Sequence, residues 1–422
     1  MAHLVLLLAK PLPFLFRNVN HVAKLLPQDR FVVSTSTDDS TKSCHLAIVT
    51  GSNTGIGLET ATSLVEQGYE VILACRSRDK GQKAVDRINE NNANAGNENS
   101  DSRTRTSIQG KAIFLHPLDL SSLNSVKSFS KAFTTQYGPS HPLHILVNNA
   151  GINSTGKSVD GMDLCFQTNF VGHYLLTRLM IPHLLKAKNT YSLPQQEQGD
   201  EDADAASTPV EAGRVVNLSS VTHHFANCNE VRHNVPPNAT RKHDKTWWKH
   251  TALPNVSDNT YKESKLAALV FTHELNKRYG SQGLRAVSAN PGSVNSDIWR
   301  DFPRHMQIIH NLIYLNSKQG AQTSIAGAVG KLPLNAVYLQ PYWQPNTDGR
   351  DKDMRRSGSK TAFRRWFSVP VPFIEMLGVY CGFACTEPRL PTHINASASD
   401  LWDVCEELVG GVDNDVSMDE KI

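Results

Sequence analysis

Short apolar runs alternate along the chain with longer segments in which apolar residues recur every three or four positions. The short runs predict buried strands over 46–50, 70–74, 112–115, 143–147, 214–218 and 284–289. The longer segments predict helices over 58–67, 122–136, 163–185 and 261–279. Strands that alternate with helices at this spacing are joined by right-handed crossovers. We therefore predict an α/β fold with a single doubly wound parallel sheet and helices on both faces.

Polar segments interrupt this regular pattern and suggest the domain organisation. We predict one domain over 44–412, with surface insertions near 89–110, 195–212, 221–260 and 344–385, followed by a tail over 413–422. Residues 1–43 contain no acidic side chain before Asp29, which is typical of a targeting or anchoring segment or of a disordered tail. Residues 350–365 carry seven basic against two acidic side chains. This basic segment predicts either peripheral contact with an anionic membrane or an exposed loop.

Composition narrows the class of protein. The 422 residues include 43 basic and 40 acidic side chains, and the net charge of +3 is too small for a dedicated nucleic-acid binder. The seven cysteines are odd in number and scattered, which argues against a secreted disulfide framework. No run of 18 apolar residues is present. We predict an intracellular protein, cytoplasmic unless the N-terminal segment directs it to an organelle or a membrane.

A glycine-rich turn follows the first predicted strand and opens the first predicted helix. Glycines at such a turn let the backbone approach a pyrophosphate, whose charge faces the helix N-terminus. This context predicts a Rossmann-type dinucleotide site. The cofactor-binding residues predicted in the turn are Gly51, Ser52, Asn53, Thr54, Gly55, Ile56 and Gly57.

The end of the second predicted strand indicates which nicotinamide cofactor is preferred. Enzymes that use NAD(H) place a carboxylate about 20 residues beyond the glycines, where it holds the ribose 2′-OH. Here Arg76 stands nineteen residues after Gly57. Because a guanidinium can bind a 2′-phosphate, the sequence favours NADP(H) over NAD(H).

Tyr261 and Lys265 are four residues apart in a predicted helix and therefore share one face. A lysine ammonium beside a phenol favours the phenolate, so we expect Lys265 to lower the pKa of Tyr261. A tyrosine of lowered pKa is suited to acid/base work on a carbonyl–alcohol pair. The spacing alone is common, and a solvated helix face has the same pattern.

These motifs together resemble the short-chain dehydrogenase/reductase superfamily, over about residues 44–330 and again near 386–410. Further matching segments are 118–120, 148–151, 168–173, 216–220 and 291–294. The resemblance implies that Tyr261 is the acid/base and that Lys265 lowers its pKa and holds the nicotinamide ribose. It implies that Ser220, the second serine of a pair, hydrogen-bonds the substrate oxygen, and that Asn169 holds a water that relays protons. The implied cofactor contacts also include Asp119, Asn148, Ala150, Gly151, Tyr261, Lys265, Pro291, Gly292, Val294 and Ser296.

Within the superfamily, segments 74–77, 160–162, 319–323 and 401–402 resemble the branch of the retinol dehydrogenases and the WW-domain-containing oxidoreductase. This resemblance implies hydride transfer between NADP(H) and a hydrophobic alcohol, aldehyde or ketone of retinoid, steroid or lipid type. Members of the superfamily often pair through helices, so a homodimer is expected unless the insertions block it.

Two other functions fit part of the same pattern. Residues 261–265 (YKESK) also resemble protochlorophyllide reductase, but that family usually lacks a serine like Ser220 and has alanine where Gly151 stands. The other alternative is a cofactor-binding scaffold or sensor without turnover. No metal site is predicted, because His223, His224, Cys228 and His233 match no zinc spacing. We expect them to lie in a solvated, histidine-rich loop.

Overall fold

A parallel sheet forms the centre of the protein in the computed structural model. The structure describes residues 45–98, 110–187, 213–226, 244–254, 259–292, 294–295, 315–330, 332, 337–339 and 394–410. The strands within these ranges are β1 Leu46–Thr50, β2 Glu70–Ala74, β3 Lys111–Ile113, β4 Ile145–Asn148, β5 Arg214–Leu218, β6 Arg285–Ala289 and β7 Tyr338–Leu339. They pair in parallel in the order β3-β2-β1-β4-β5-β6-β7. The predicted doubly wound sheet is confirmed.

Helices cover both faces of this sheet. Those of eight or more residues are α1 Gly55–Glu66, α2 Arg78–Glu98, α3 Leu123–Tyr137, α4 Gly172–Lys186, α5 Lys245–Ala252, α6 Tyr261–Tyr279, α7 Ser317–Val329 and α8 Ile394–Val409, and a shorter helix spans His223–Ala226. The helix predicted over 163–185 is broken. A short turn, Leu164–Phe166, leads into a π-helical turn, Gln167–Val171, and only then into α4.

Alternate residues of the central strands belong to two separate apolar cores. Ile48 and Leu146 pack with Phe129 of α3 and the inner face of α4 and α6. Their neighbours Val49 and Val147 pack on the opposite side, with α1, α2 and α7. Because side chains along a strand point alternately to the two faces, burial on both faces requires the nearly continuous apolar runs seen in the sequence.

The first ten residues of the predicted insertion over 89–110 are helical and extend α2 to Glu98. Asn89 explains why a polar segment stays helical here. Its side chain accepts from the Ala112 N–H at 2.8 Å and donates to the Ala112 carbonyl at 2.9 Å. Ala112 lies in β3, the edge strand, so the asparagine amide satisfies backbone groups that the sheet leaves open.

The predicted irregular loop over 221–260 also contains packed structure. Helix α5 buries Trp247 and Trp248, and Trp248 Nε1 donates to the Ser397 carbonyl at 3.2 Å. His223 is fully buried as well, so the expectation that it lies in a solvated loop is wrong. Its Nδ1 bonds the Ser220 carbonyl at 2.6 Å, and its ring packs on Tyr338. These large aromatic side chains gain more from burial than the segment's polar composition suggested.

Several predicted segments lie outside the described residues, namely 1–43, 195–212, 344–385 and 413–422, as do Cys228 and His233. Their assignments stay predictions. Within the described ranges, no helix combines the length and apolar character needed to cross a membrane.

Helix α8 comes last in the described chain and packs against α5 and α6, with Trp402 against Phe271 of α6. The Trp402 ring lies between two guanidinium groups, 5.0 Å from Arg178 Cζ and 4.2 Å from Arg278 Cζ. Arg178 Nε also pairs with Glu406 at 2.6 Å, on the next turn of α8. Cations over an indole face in a largely buried setting are attracted by the ring's quadrupole, so this stack fixes α8 to α4 and α6.

We expect Trp402→Ala to lower the free energy of unfolding by about 3–5 kcal/mol, because it removes a buried indole and leaves both arginines without a ring to stack on. Urea unfolding measures the change. The matched control is Lys249→Ala, which breaks the exposed 3.0 Å ion pair with Glu407 between α5 and α8. That control should cost less than about 1 kcal/mol. Equal losses for the two variants would contradict the role given to Trp402.

Candidate active site

The carboxyl ends of β1 and β4 lie side by side where the strand order changes direction, which is the position of the ligand cleft in open α/β sheets. The turn after β1 approaches the loop after β4 very closely. A Cβ on Gly51 would stand 2.9 Å from Ala150 Cα, and one on Gly57 would stand 2.4 Å from Asn149 Nδ2. Gly51 and Gly55 also adopt positive φ angles of 63° and 59°, which L side chains disfavour. Only glycine therefore allows both the turn and the close approach.

Helix α1 begins at the open side of this turn. Its N-cap residue, Thr54, is exposed and makes no side-chain hydrogen bond to the first helical N–H groups. Those groups, with the partial positive charge of the helix N-terminus, suit an anionic pyrophosphate. The residues of the cleft thus fit a dinucleotide. The Ser52 hydroxyl is not directed at the dinucleotide, since it is buried and donates to the Val49 carbonyl at 2.8 Å.

Arg76 and Asp119 lie at the ends of the two neighbouring strands on the β2–β3 side. Arg76 is exposed two residues beyond β2. Asp119 follows β3 and is half-buried, and its Oδ1 accepts from the Ser121 N–H at 3.0 Å and from the Ser121 hydroxyl at 2.6 Å. Both residues therefore border the side of the cleft where a nucleotide following the glycine-rich turn would place its adenosine.

Tyr261 is the first residue of α6, and Lys265 lies one turn further along the same face. The Lys265 Nζ is 5.5 Å from the centroid of the Tyr261 ring and donates to the Leu218 carbonyl at the end of β5 at 3.1 Å. Of the two serines that follow β5, Ser220 lies beside Tyr261, and its hydroxyl acts to lower the pKa of that phenol. Ser219 instead donates to the Lys265 carbonyl at 2.8 Å. Tyr261, Lys265 and Ser220 are thus assembled at one place.

The expectation that Lys265 lowers the pKa of Tyr261 is not met in the protein alone. Burial raises the pKa of Tyr261 above its ordinary value, the neighbouring Cys165 adds to the increase, and the Ser220 hydroxyl opposes it. Burial also lowers the pKa of Lys265, to about 8. The same dry environment therefore disfavours both charged forms, and Tyr261 stays protonated in the protein alone.

Asn169 lies in the π-helical turn before α4, and its side chain clamps residue 152. Its Oδ1 accepts from the Ile152 N–H at 2.7 Å, and its Nδ2 donates to the Ile152 carbonyl at 2.9 Å. Nδ2 also lies 3.1 Å from Ser264 Oγ, on the turn of α6 between Tyr261 and Lys265. A π turn of this kind often occurs at functional sites because the extra residue reorients a side chain.

Gly151 lies between the side chains of Asn169 and Lys265. A Cβ there would stand 3.4 Å from Asn169 Oδ1 and 3.5 Å from Lys265 Nζ. Asn148, by contrast, points away from the cleft. Its side chain is buried and donates to Thr177 Oγ1 at 2.9 Å and to Asn217 Oδ1 at 2.8 Å. Its side chain therefore supports the sheet, and the cofactor contact that the resemblance implies for Asn148 stays a prediction.

The loop after β6 forms the remaining wall. Gly292 takes a φ of 79°, and its N–H donates to Asn290 Oδ1 at 3.0 Å. Pro291 is half-buried, Val294 is buried, and Ser296 lies outside the described residues. The described residues contain no group of three or more histidine, cysteine or acidic side chains that could hold a metal ion.

The sequence did not indicate the residues that position the predicted site residues through hydrogen bonds. Thr50, Ile152 and His173 contact the predicted residues through short hydrogen bonds. One signal was available for His173, because it follows Asn169 by four residues and so shares its helical face. Nothing in the pattern of apolar residues marks the other two.

Comparison with known proteins decides the family. Residues 45–191 match the profile of the short chain dehydrogenase family. The chain is 31% identical to human retinol dehydrogenase 11 over 305 residues, which cover 71% of this chain and 78% of that protein. It is also 31% identical to mouse retinol dehydrogenase 12, over 76% of this chain and 84% of that protein. A short-chain dehydrogenase/reductase of Armillaria gallica is 30% identical, over 70% of this chain and 81% of that protein.

The chain belongs to the short-chain dehydrogenase/reductase family. It is an oxidoreductase that acts on CH–OH groups and uses a nicotinamide cofactor. The family implies this activity, and the glycine-rich turn after β1 suits a dinucleotide. The predicted relation to the retinol dehydrogenases is confirmed.

In this dehydrogenase, Gly320 of α7 joins two walls of the cofactor cleft. A Cβ on Gly320 would stand 2.4 Å from Val294 Cγ2, in the loop after β6, and 3.4 Å from Ile56 Cγ1, beside the glycine-rich turn. Val294 is 4% exposed, so it has little room to move away. Any side chain at position 320 must therefore displace either the loop or α7.

We expect Gly320→Ala to raise the Kd of the nicotinamide dinucleotide about tenfold, because overpacking of about 1–3 kcal/mol moves the two walls apart. Val294→Ala in the same chain should restore affinity, since it removes the γ-methyl groups that the new methyl meets. Fluorescence titration with NADPH and NADH measures both. Gly280→Ala is the control, because its added methyl meets nothing within 4 Å. Unchanged affinity in Gly320→Ala would show that the walls are independent.

Proposed function

We propose that this protein is an NADP(H)-dependent oxidoreductase that transfers a hydride between the nicotinamide and the carbonyl or alcohol carbon of a hydrophobic substrate of retinoid, steroid or lipid type. The observation that carries the proposal is the convergence of Tyr261, Ser220 and Lys265 at the carboxyl edge of the sheet. The similarity to retinol dehydrogenases supports the substrate class.

Each side chain has a chemical task in this proposal. The nicotinamide supplies or accepts the hydride. Tyr261 donates its phenol proton to the carbonyl oxygen during reduction, and its raised pKa keeps it protonated for that step. The Ser220 hydroxyl bonds the same oxygen and stabilises the negative charge that develops on it.

Lys265 and Asn169 complete the proposed arrangement. Lys265 is buried and anchored to the Leu218 carbonyl, which aims its ammonium group at the ring of Tyr261 and at the place where the nicotinamide ribose would lie. Asn169 fixes the loop that carries Gly151 beside Lys265, and in this proposal it also holds the water through which Tyr261 is reprotonated.

Arg76 is proposed to select NADP(H). It is exposed at the carboxyl end of β2, with Ser77 beside it, and its guanidinium would pair with a 2′-phosphate in two hydrogen bonds. The residues that immediately follow β2 include no carboxylate that could hold a free 2′-OH.

Tyr261→Phe should abolish turnover, with a loss of at least about 100-fold in kcat, because it removes the proton donor and leaves the ring. The assay is NADPH oxidation with a panel of hydrophobic aldehydes and ketones, retinal among them. Cofactor affinity, titrated separately, should stay within about threefold of the parent because the hydroxyl alone is lost. If the parent protein binds NADPH and turns over no member of the panel, a scaffold or sensor function is favoured instead.

Arg76→Gln should raise the Kd of NADPH by about 10- to 100-fold, because it removes charge-assisted hydrogen bonds to the 2′-phosphate. The Kd of NADH should stay nearly unchanged, since NADH has no such phosphate. The matched control is Arg78→Gln. Arg78 is also exposed, but its guanidinium lies over the Phe114 ring, 5.9 Å from the centroid. Parallel titrations of both cofactors measure the selectivity. Equal loss of both in Arg76→Gln would remove the argument for NADP(H).

A further inference from the structure

His173 is a buried histidine on the first turn of α4, and both of its ring nitrogens are bonded to groups at the active site. Nε2 lies 2.8 Å from Thr50 Oγ1, at the end of β1. Nδ1 lies 3.0 Å from the carbonyl oxygen of Asn169, in the π turn. The imidazole thus links the end of β1 to the π-helical turn that contains Asn169.

The partners of Thr50 determine which nitrogen of His173 carries the proton. Thr50 Oγ1 already accepts from the N–H groups of Asn149 at 2.9 Å and Ala150 at 3.0 Å, so both of its lone pairs are used. Its own hydrogen must go either to His173 Nε2 at 2.8 Å or to the Val147 carbonyl at 3.4 Å, and the shorter contact is the better bond. His173 Nε2 is then an acceptor, and the proton resides on Nδ1.

The Nδ1–H of this tautomer donates to the Asn169 carbonyl, so both ring nitrogens are satisfied. An imidazolium would present a third donor to Thr50, which has no lone pair left for it. Burial likewise lowers the pKa of His173 to about 4, which keeps the ring neutral near pH 7.

The two groups that His173 bonds are also the two that hold the loop 149–152. Thr50 holds its beginning through the N–H groups of Asn149 and Ala150. Asn169 holds its end through both backbone groups of Ile152. Between these attachments lies Gly151, against Lys265. A closed set of hydrogen bonds therefore runs from β1 through the loop to the π turn and back through His173.

We propose that His173 is a positioning residue that sets the spacing between β1 and the π turn, and thereby places the loop 149–152 and Asn169 against Lys265. The inference rests on the proposed function insofar as these residues serve hydride transfer. His173 touches neither substrate nor cofactor in this arrangement. Its two bonds have separate consequences, because one secures the cofactor side of the loop and the other secures Asn169.

Two isosteric substitutions separate the bonds. An asparagine amide reaches the position of Nδ1, so His173→Asn keeps the bond to Asn169 and loses the bond to Thr50. We expect it to raise the Kd of NADPH about tenfold and to change kcat by less than about threefold. A glutamine amide reaches the position of Nε2, so His173→Gln should lower kcat about tenfold and leave the Kd nearly unchanged. His173→Leu loses both bonds and should show both defects.

Amide hydrogen exchange tests the same inference without turnover. Exchange at Asn149 and Ala150 should accelerate about tenfold in His173→Asn, and exchange at Ile152 should accelerate similarly in His173→Gln. His183→Leu is the matched control, because His183 is buried on the same helix and its Nδ1 also bonds a backbone carbonyl, that of His141 at 2.8 Å. It should lose stability but change neither kcat, nor the Kd, nor exchange in the loop.

The proposal is overturned if His173→Leu matches the parent in affinity and in exchange. It is equally overturned if the asparagine and glutamine variants lose kcat and affinity to the same extent, which is what a packing role alone would give. If the parent shows no turnover with any substrate, the proposed function fails, and the cofactor titrations and loop exchange still decide the role of His173.

Discussion

The loops after β1 and β4 run closer together than side chains allow, and the rest of the site depends on this contact. Position 51 lies against the backbone of Ala150, and position 57 lies against the amide of Asn149. Two backbone segments pressed together in this way must satisfy their own polar groups, because water cannot enter between them. Thr50 does so for two N–H groups, and Asn149 Nδ2 donates to the Thr50 carbonyl at 2.8 Å. The cofactor cleft is therefore a frame of backbone fixed by short polar side chains.

The dryness of the same edge of the sheet governs the chemistry of Tyr261 and Lys265. Burial disfavours the phenolate and the ammonium alike, so it opposes a charged Tyr261–Lys265 pair in the protein alone. A low dielectric has a second effect, since it strengthens the interaction of any charge with dipoles that are already oriented. Negative charge that develops on an oxygen beside Ser220 would meet such dipoles without a cost of reorganisation. Burial thus disfavours the phenolate of Tyr261 and the ammonium of Lys265 before reaction, but it strengthens the dipoles' stabilisation of the negative charge that develops on the substrate oxygen.

The sequence was enough to predict six of the seven strands that the structure describes and the helices α1, α3 and α6, because strand burial and helical spacing leave periodic signals. Helices α2, α5, α7 and α8 and strand β7 were not predicted, and the grouping of Ser220 with Tyr261 and Lys265 came from the resemblance to the family. It could not predict the π turn at Gln167–Val171, since one extra residue in a helix that is buried nearly all round leaves the apolar pattern unchanged. The packing of α5 and the bonds of Asn89 depend on partners distant in sequence, which local patterns do not contain. The sequence shows that Lys265 is near Tyr261, which predicts a lowered pKa for Tyr261. It does not show the burial of Tyr261, which raises that pKa.

Helix α6 connects the site to the periphery of the domain. Tyr261 begins the helix, and Arg278, which stacks on Trp402 of α8, lies in its last turn, 17 residues on and so about 25 Å away along the axis. Almost every residue from Glu263 to Leu275 is buried, so the helix cannot tilt without disturbing the core on the side of α4. A rigid helix held at its far end limits the motion of its first turn. The position of Tyr261 is therefore fixed twice, by the hydrogen bond of its N–H to Asn259 Oδ1 and by the docking of α8 at the other end of the same helix.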